Sequence, residues 1–143
     1  MFNPPNTQVF FATVWDIVRQ IPPGKVSSYG QVASMLPPGD YADPPSMRRL
    51  APRWVGTALR KSPRGAGIPW QRVINSQGGI SFPPGSPQAK EQRRLLESEG
   101  IVFDRSGKVN LQRYGWAGPP ASYLREHSLL PPQTWQRPQL FAD

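Results

Sequence analysis

Cysteine is missing from this sequence altogether, and histidine occurs once, as His127. Without a thiol there is no disulfide framework, no thiolate metal site and no cysteine nucleophile. A lone histidine in a proline-rich stretch leaves a Ser-His pair or a His-ligated metal almost nothing to build on, so neither metal nor cofactor is expected. Long apolar runs are lacking too. None approaches the ~20 residues that span a bilayer, and the opening MFNPPNTQ has neither the basic start nor the apolar stretch of a secretory signal. The expectation is a soluble, cytoplasmic protein with no membrane partner. Acidic residues are absent from one whole region. Between Pro44 and Lys90 there is no Asp or Glu, while Arg48, Arg49, Arg53, Arg60, Lys61, Arg64, Arg72 and Lys90 all fall there. These cations equal in number the formal net charge of +8, and their clustering points to a polyanionic partner.

What is present suits one ordinary core, since 143 residues and 16.0 kDa are most economically one domain. Thr7 to Gln20 reads as a helix capped by Asn6 or Thr7, with Phe10, Val14, Ile17 and Val18 on one face at three- and four-residue spacing. Pro22-Pro23-Gly24 stops it. Ser27 or Ser28 caps a short helix from Tyr29 to about Met35, with Val32 and Leu36 inward. After the proline-rich PPGDYADPP, Ser46 opens a helical turn over Met47 to Leu50. Pro52 then suits the first turn of a further helix, RWVGTALRK, because its missing N–H is not needed there. Two helices joined by a turn, the second basic, suggest a helix-turn-helix.

Ile68 to Ile74 is a strand or extended segment, followed by a turn over Asn75 to Gly79. Ser86 and Pro87 start the helix SPQAKEQRRLLESEG, which buries Leu95 and Leu96 and ends at Gly100. IVFDRSGKVNL then reads as a hairpin about Ser106-Gly107. The fold class is therefore mainly α with small β, a winged helix-turn-helix-like DNA-binding domain with a short C-terminal hairpin. It spans residues 1–116, and a Pro-rich extension over 117–143 packs loosely or meets a partner. Trp15, Trp54 and Trp116 read as structural, whereas Trp135 is a partner anchor or a cover. Taken alone, Trp70 in IPWQRVINSQGG reads as a core anchor.

Four blocks in order, IPPGKVSSYGQVA, RWVGTALRKSP, IPWQRVINSQGG and KEQRRLLESEG, resemble the DNA-binding domain of the O6-alkylguanine-DNA alkyltransferases. The resemblance covers about Val9 to Gly100, and VNLQRYGW extends it to Trp116. Those enzymes carry Pro-Cys-His-Arg, where this sequence has Pro69-Trp70-Gln71-Arg72. Tryptophan in place of the cysteine marks the alkyltransferase-like proteins. Gln71 departs from the Trp-His-Arg form common in that branch, and the longer loop before Arg53 and the tail depart as well.

The resemblance implies a non-enzymatic protein that binds duplex DNA in the minor groove, rotates O6-alkylguanine into a pocket and flags it for nucleotide excision repair proteins. It implies that Arg53 is the finger filling the vacated place in the duplex, and that Tyr29 meets the rotated nucleotide and its phosphate. Trp70 then becomes a pocket wall with Leu59 and Val73. Ser28, Gln31, Arg60, Ser76 and Ser81 are DNA or pocket contacts, and Arg72 and Glu99 brace the site. Chemistry agrees separately. Dealkylation needs an activated thiolate, an indole has no comparable nucleophile, and glutamine cannot relay a proton near neutral pH. Rival readings are a winged-helix regulator without lesion preference, an enzyme such as a base-excising one using Asp or Glu near the groove, and an adaptor in which the tail matters more than DNA. The lack of acids from Pro44 to Lys90 opposes the second.

Overall fold

The computed structural model describes residues 7–37, 44–63 and 65–133, with side chains in the first turns of the third helix described from Leu50 onward. The cap at Asn6, the loop around Gly39 to Asp43, Arg64 and Trp135 lie outside the described residues, as do the side chains of Ser46, Arg48 and Arg49.

Helix α1 spans Thr7–Arg19 and buries Phe10, Val14, Ile17 and Val18, the face set by their spacing. A two-residue strand β1, Ser27–Ser28, leads directly into α2, Tyr29–Ser34. Ser28 caps α2 by accepting the N–H of Gln31 at 2.9 Å, which resolves the choice between Ser27 and Ser28. Helix α3 is one unbroken element, Pro44–Arg60, with Pro52 inside it. This corrects the expectation of a turn over Met47 to Leu50 and a new helix at Pro52. A proline within a helix removes one i→i−4 bond and crowds the preceding turn. Here Ala51, Trp54, Val55 and Ala58 are buried in a stripe that spans the proline, so tertiary packing holds the helix together. Trp54 meets Phe10 of α1 edge-on at 5.8 Å and 89°, and Trp15 Nε1 donates to the Ala58 carbonyl at 2.7 Å. Both tryptophans thus tie α1 to α3.

Ile68 to Ile74 is less extended than its β-branched residues suggest. Trp70–Arg72 form a 3₁₀ turn, and only Val73–Ile74 form a strand, β2, paired in parallel with β1 in the register Ser27↔Val73 and Ser28↔Ile74. Val26 continues the ribbon on the other side, donating to the Tyr114 carbonyl at 2.9 Å and accepting from Trp116 N at 2.8 Å. Helix α4, Pro87–Ser98, starts at the Ser86 cap and buries Leu96, while Leu95 is only half-buried. Gly100 ends it with φ of 92°. The expected hairpin is reduced to a single antiparallel bridge, Phe103↔Val109, because Asp104 tightens the turn by accepting the N–H groups of Ser106 and Lys108. Gly78 packs closely there: its φ is 87°, and a Cβ would lie 2.5 Å from the Val109 carbonyl oxygen.

Short helices α5, Leu111–Tyr114, and α6, Ala121–Glu126, are the last helices among the described residues. Tyr123, Leu124 and Leu129 pack on the α1–α3 cluster, Leu130 N donates to the Met35 carbonyl at 2.9 Å, and Gln133 N donates to Ser34 Oγ at 3.0 Å. The extension as far as Gln133 therefore lies on α2 rather than loosely beside it. A smaller core of Val26, Ile74, Leu96, Ile101, Phe103, Val109 and Tyr114 sits beyond the ribbon. Among the described residues no helix is long and apolar enough to cross a membrane.

Candidate nucleic-acid interface

Helix α3 has two faces because 3.6 residues make a turn. Its buried stripe faces α1 and α2. Its other face carries Arg53, Thr57 and Arg60, at spacings of four and three, with both arginines exposed. Thr57 Oγ1 donates to the Arg53 carbonyl at 3.1 Å and accepts from Arg60 Nη2 at 3.1 Å, so one hydroxyl orders the stripe without neutralising it. Arg53 makes no ion pair with any described residue.

Tyr29, at the start of α2, comes to this stripe. A Cβ on Gly56 would stand 3.8 Å from Tyr29 Cε1 and 3.7 Å from Arg60 Nη1, so the middle turn of α3 is where the three residues meet. Ser81 stands near enough to the Tyr29 hydroxyl to polarise it. Burial pushes the Tyr29 phenol above its ordinary value, and the nearby Ser81 and the Arg60 charge offset only part of this. Tyr29 is consequently a neutral hydroxyl throughout the physiological range, able to donate to an anion.

The segment bearing Ser81 also reaches Trp70. Phe82 meets the half-buried Trp70 edge-on, with centroids 6.2 Å apart and planes at 85°. Behind Trp70 the same 3₁₀ turn sends its next two side chains elsewhere. Arg72 grips Glu99 with two parallel bonds, Nε to Oε1 and Nη2 to Oε2, each 3.0 Å, and donates from Nη1 to the Ile21 carbonyl at 2.8 Å. Gln71 is buried and donates to Glu99 Oε2 at 2.9 Å. Burial alone would raise the Glu99 carboxyl, but Arg72 and Gln71 outweigh it and hold the group below the usual carboxylate range.

The structure thus gathers Tyr29, Arg60 and Ser81 into one group, places Trp70 beside it through Phe82, and makes Arg72 and Glu99 an ion pair. Arg53 extends the group along α3. Val73 is fully buried in the main core, Leu59 packs on the same core, and Ser76 is exposed on the 75–79 turn. Ser28 and Gln31 are placed differently from what the resemblance implies. Ser28 is 2 % exposed and Gln31 0 % exposed. The first is occupied as a helix cap, and the second donates to the carbonyls of Trp116 at 2.7 Å and Gln133 at 2.9 Å and accepts from Ser27. Their side chains hold the fold together and present nothing to a ligand.

Two positioning residues escaped the sequence reading. Gln92 donates from Nε2 to the carbonyls of Gln71 at 3.0 Å and Val73 at 2.9 Å, clamping the turn that displays Trp70. The available signal was a polar residue four before Leu96, on the inward face of α4. Phe82 is the other, and nothing in the local pattern of a Pro/Gly-rich loop points to it.

A family model described as the DNA-binding domain of 6-O-methylguanine DNA methyltransferase matches residues 9–101. The chain is 40 % identical over 107 residues to a "DNA base-flipping protein" of Vibrio parahaemolyticus, covering 75 % of this chain and 95 % of that one. It is 36 % identical over 111 residues to the alkyltransferase-like protein 1 of Schizosaccharomyces pombe, covering 75 % and 94 %. Among solved structures, S. pombe Atl1 in complex with damaged DNA containing O6-carboxymethylguanine is similar with a TM-score of 0.56 and 37 % identity, over 76 % of this chain and 95 % of that chain. The chain therefore belongs to the family of the 6-O-methylguanine DNA methyltransferase DNA-binding domain, in its alkyltransferase-like branch.

Proposed function

We propose that this protein is a non-catalytic reader of alkylated DNA, which binds the duplex along α3, rotates O6-alkylguanine out of the stack and holds it against Trp70. The observation that carries the reading is the grouping of Tyr29, Arg60 and Ser81 beside the Trp70–Phe82 pair. A neutral phenol and a guanidinium suit a phosphate, and two aromatic rings suit a base with an apolar substituent. An indole stands where the related enzymes have their thiol, and the chain has no cysteine at all, so no alkyl group is transferred. Arg53, exposed and without a core role, is the side chain that fills the place left by the rotated nucleotide. Such a wedge offsets unstacking, which costs a few kcal/mol and less at a weakened pair.

Support comes also from the relatives named for base flipping and from the Atl1 complex with damaged DNA. Handing the lesion to nucleotide excision repair proteins in the cytoplasm is the downstream step of the same proposal. The test is equilibrium binding to one duplex carrying guanine or O6-methylguanine at the same position, over a salt series. Tighter binding of the lesion with no methyl group moved to protein supports the reader. Equal affinities for the two duplexes would leave a winged-helix DNA-binding regulator with an idle pocket.

A further inference from the structure

Ser81 turns to Tyr29, but its neighbours Ile80 and Phe82 line a different cavity of about 340 Å³. Its other walls come from the first turns of α4, with Lys90 and Arg93, and from the Ser106–Lys108 turn. No carboxylate lines it. The nearby acids are already engaged, Glu91 with Arg94 at 2.8 Å among them. Glu97 pairs with Arg93 at 3.1 Å, and the Asp104 carboxylate accepts the N–H groups of Ser106 at 2.8 Å and Lys108 at 3.0 Å. Arg93 additionally lies over the Phe103 ring at 4.6 Å, which fixes its guanidinium. Lys90 and Lys108 are left with no carboxylate partner among the described residues. The twelve-residue helix α4 begins beside them with no acid in its first turn, so its positive end reinforces their field.

We propose that this cavity takes a DNA backbone phosphate together with its sugar. The ammonium groups and the Ser106 hydroxyl suit the phosphate oxygens, and the apolar surface of Ile80 and Phe82 suits deoxyribose, which a bare inorganic anion would leave uncovered. Phe82 is the shared wall: one side lines the cavity and its ring meets Trp70 edge-on, 6.2 Å between centroids. The anion site stands on its own residues and does not rest on the lesion-reading proposal.

The test is a salt series of duplex binding with wild type, Lys90→Gln/Lys108→Gln and Lys90→Arg/Lys108→Arg, each on guanine and O6-methylguanine duplexes, with thermal melts as a fold control. In the glutamine variant the slope of log affinity against log salt should fall by about 0.9, the contribution of one phosphate. Its binding at 0.1 M salt should be about eightfold weaker, that slope change taken over one decade of salt from convergence at 1 M. The arginine variant should keep the wild-type slope, and the preference between duplexes should stay the same in all three. An unchanged slope in the glutamine variant overturns the site. So does a glutamine variant that keeps the duplex slope but loses binding of a fluorescent oligo-glutamate peptide, which would assign the cavity to an acidic protein segment. A wild type without lesion preference whose glutamine variant still loses slope would sink the lesion reading and leave the phosphate site standing.

Discussion

Trp70 and its two successors share one turn of 3₁₀ helix yet enter two regions built on opposite principles. Gln71 and Arg72 point into a closed brace where every charge is matched: Glu99 accepts from both of them and Arg72 also reaches the Ile21 carbonyl. Trp70 instead meets Phe82, next in the chain to Ser81, and the face of α3 that Tyr29 joins keeps Arg53 and Arg60 exposed, with no ion pair to a carboxylate among the described residues. The difference separates holding from binding. The brace fixes the backbone so that the open face needs no internal partner to stay in place, and its positive charge remains available to an anion.

The comparison breaks most severely if one half of the brace is removed. Arg72 and Glu99 expose 15 % and 12 % of their side chains, so deleting either leaves a largely desolvated charge. Arg72→Ala should cost on the order of 3 kcal/mol in urea unfolding, by the penalty for stranding a buried ion. Arg53→Ala should cost almost nothing in the same assay. Comparable losses for the two variants would show that the open face carries structural duty as well.

The tail sharpens the contrast from another side. Tyr123, Leu124 and Leu129 half-bury against the main core, and Gly118, with φ of 107°, sits so close to the segment before Gln133 that a Cβ would lie 2.5 Å from Pro132 Cγ. Ending the chain after Trp116 should therefore lower stability by about 3 kcal/mol, taking roughly 1 kcal/mol for each partly buried side chain. A protein ended there that unfolds like wild type would make residues 117–133 a passenger and not part of the fold.

Legibility followed the same division. The core faces of α1, α2 and α4, the Ser86 cap and the stop at Gly100 could be read because periodicity and capping are local properties of the chain. Pro52 misled for the same reason: its local signal is a helix start, and only the buried stripe from Ala51 to Ala58 reveals that packing carries the helix through. For the site, the order of four sequence blocks pointed to Tyr29, Arg53 and Trp70, and the structure groups Tyr29 with Arg60 and Ser81. Burial was not legible. Ser28 and Gln31 look like surface polar groups until the chain folds back from Trp116 and Gln133 to bond Gln31. Phe82 acts through its contact with Trp70, which no local pattern encodes, and the inward place of Gln92 on α4 signals burial without naming the Gln71 and Val73 carbonyls it bonds.

On the open face the expected effects are on binding. Trp70→Ala should reduce the preference for O6-methylguanine over guanine about tenfold, combining roughly 0.8 kcal/mol for a buried methyl group with part of an aromatic contact of about 1 kcal/mol. The affinity for undamaged duplex should fall far less. Arg53→Ala should weaken both lesion binding and rotation of a fluorescent base, with melting unchanged. A Trp70→Ala protein that keeps full preference would remove the indole from the pocket and return it to the role of core anchor.

The smallest effect tests the brace through pH. Glu99 has its folded value depressed, so its contribution to stability is fully present above the ordinary value of 4.5 and is lost as pH falls through the lower folded value. Gln71 is one source of that depression. Gln71→Leu fills a similar volume without the donor, so the folded value should rise toward 4.5 and the variant should be less stable at pH 7 by about 1 kcal/mol, the loss of a hydrogen bond to a charged acceptor being partly offset by the apolar burial of leucine. As acid protonates Glu99 in both proteins the difference should shrink, bringing the two stability curves together once the pH has fallen through the depressed wild-type value. A gap that stays constant down to low pH would mean that Gln71 acts by packing alone, with the Glu99 charge held entirely by Arg72.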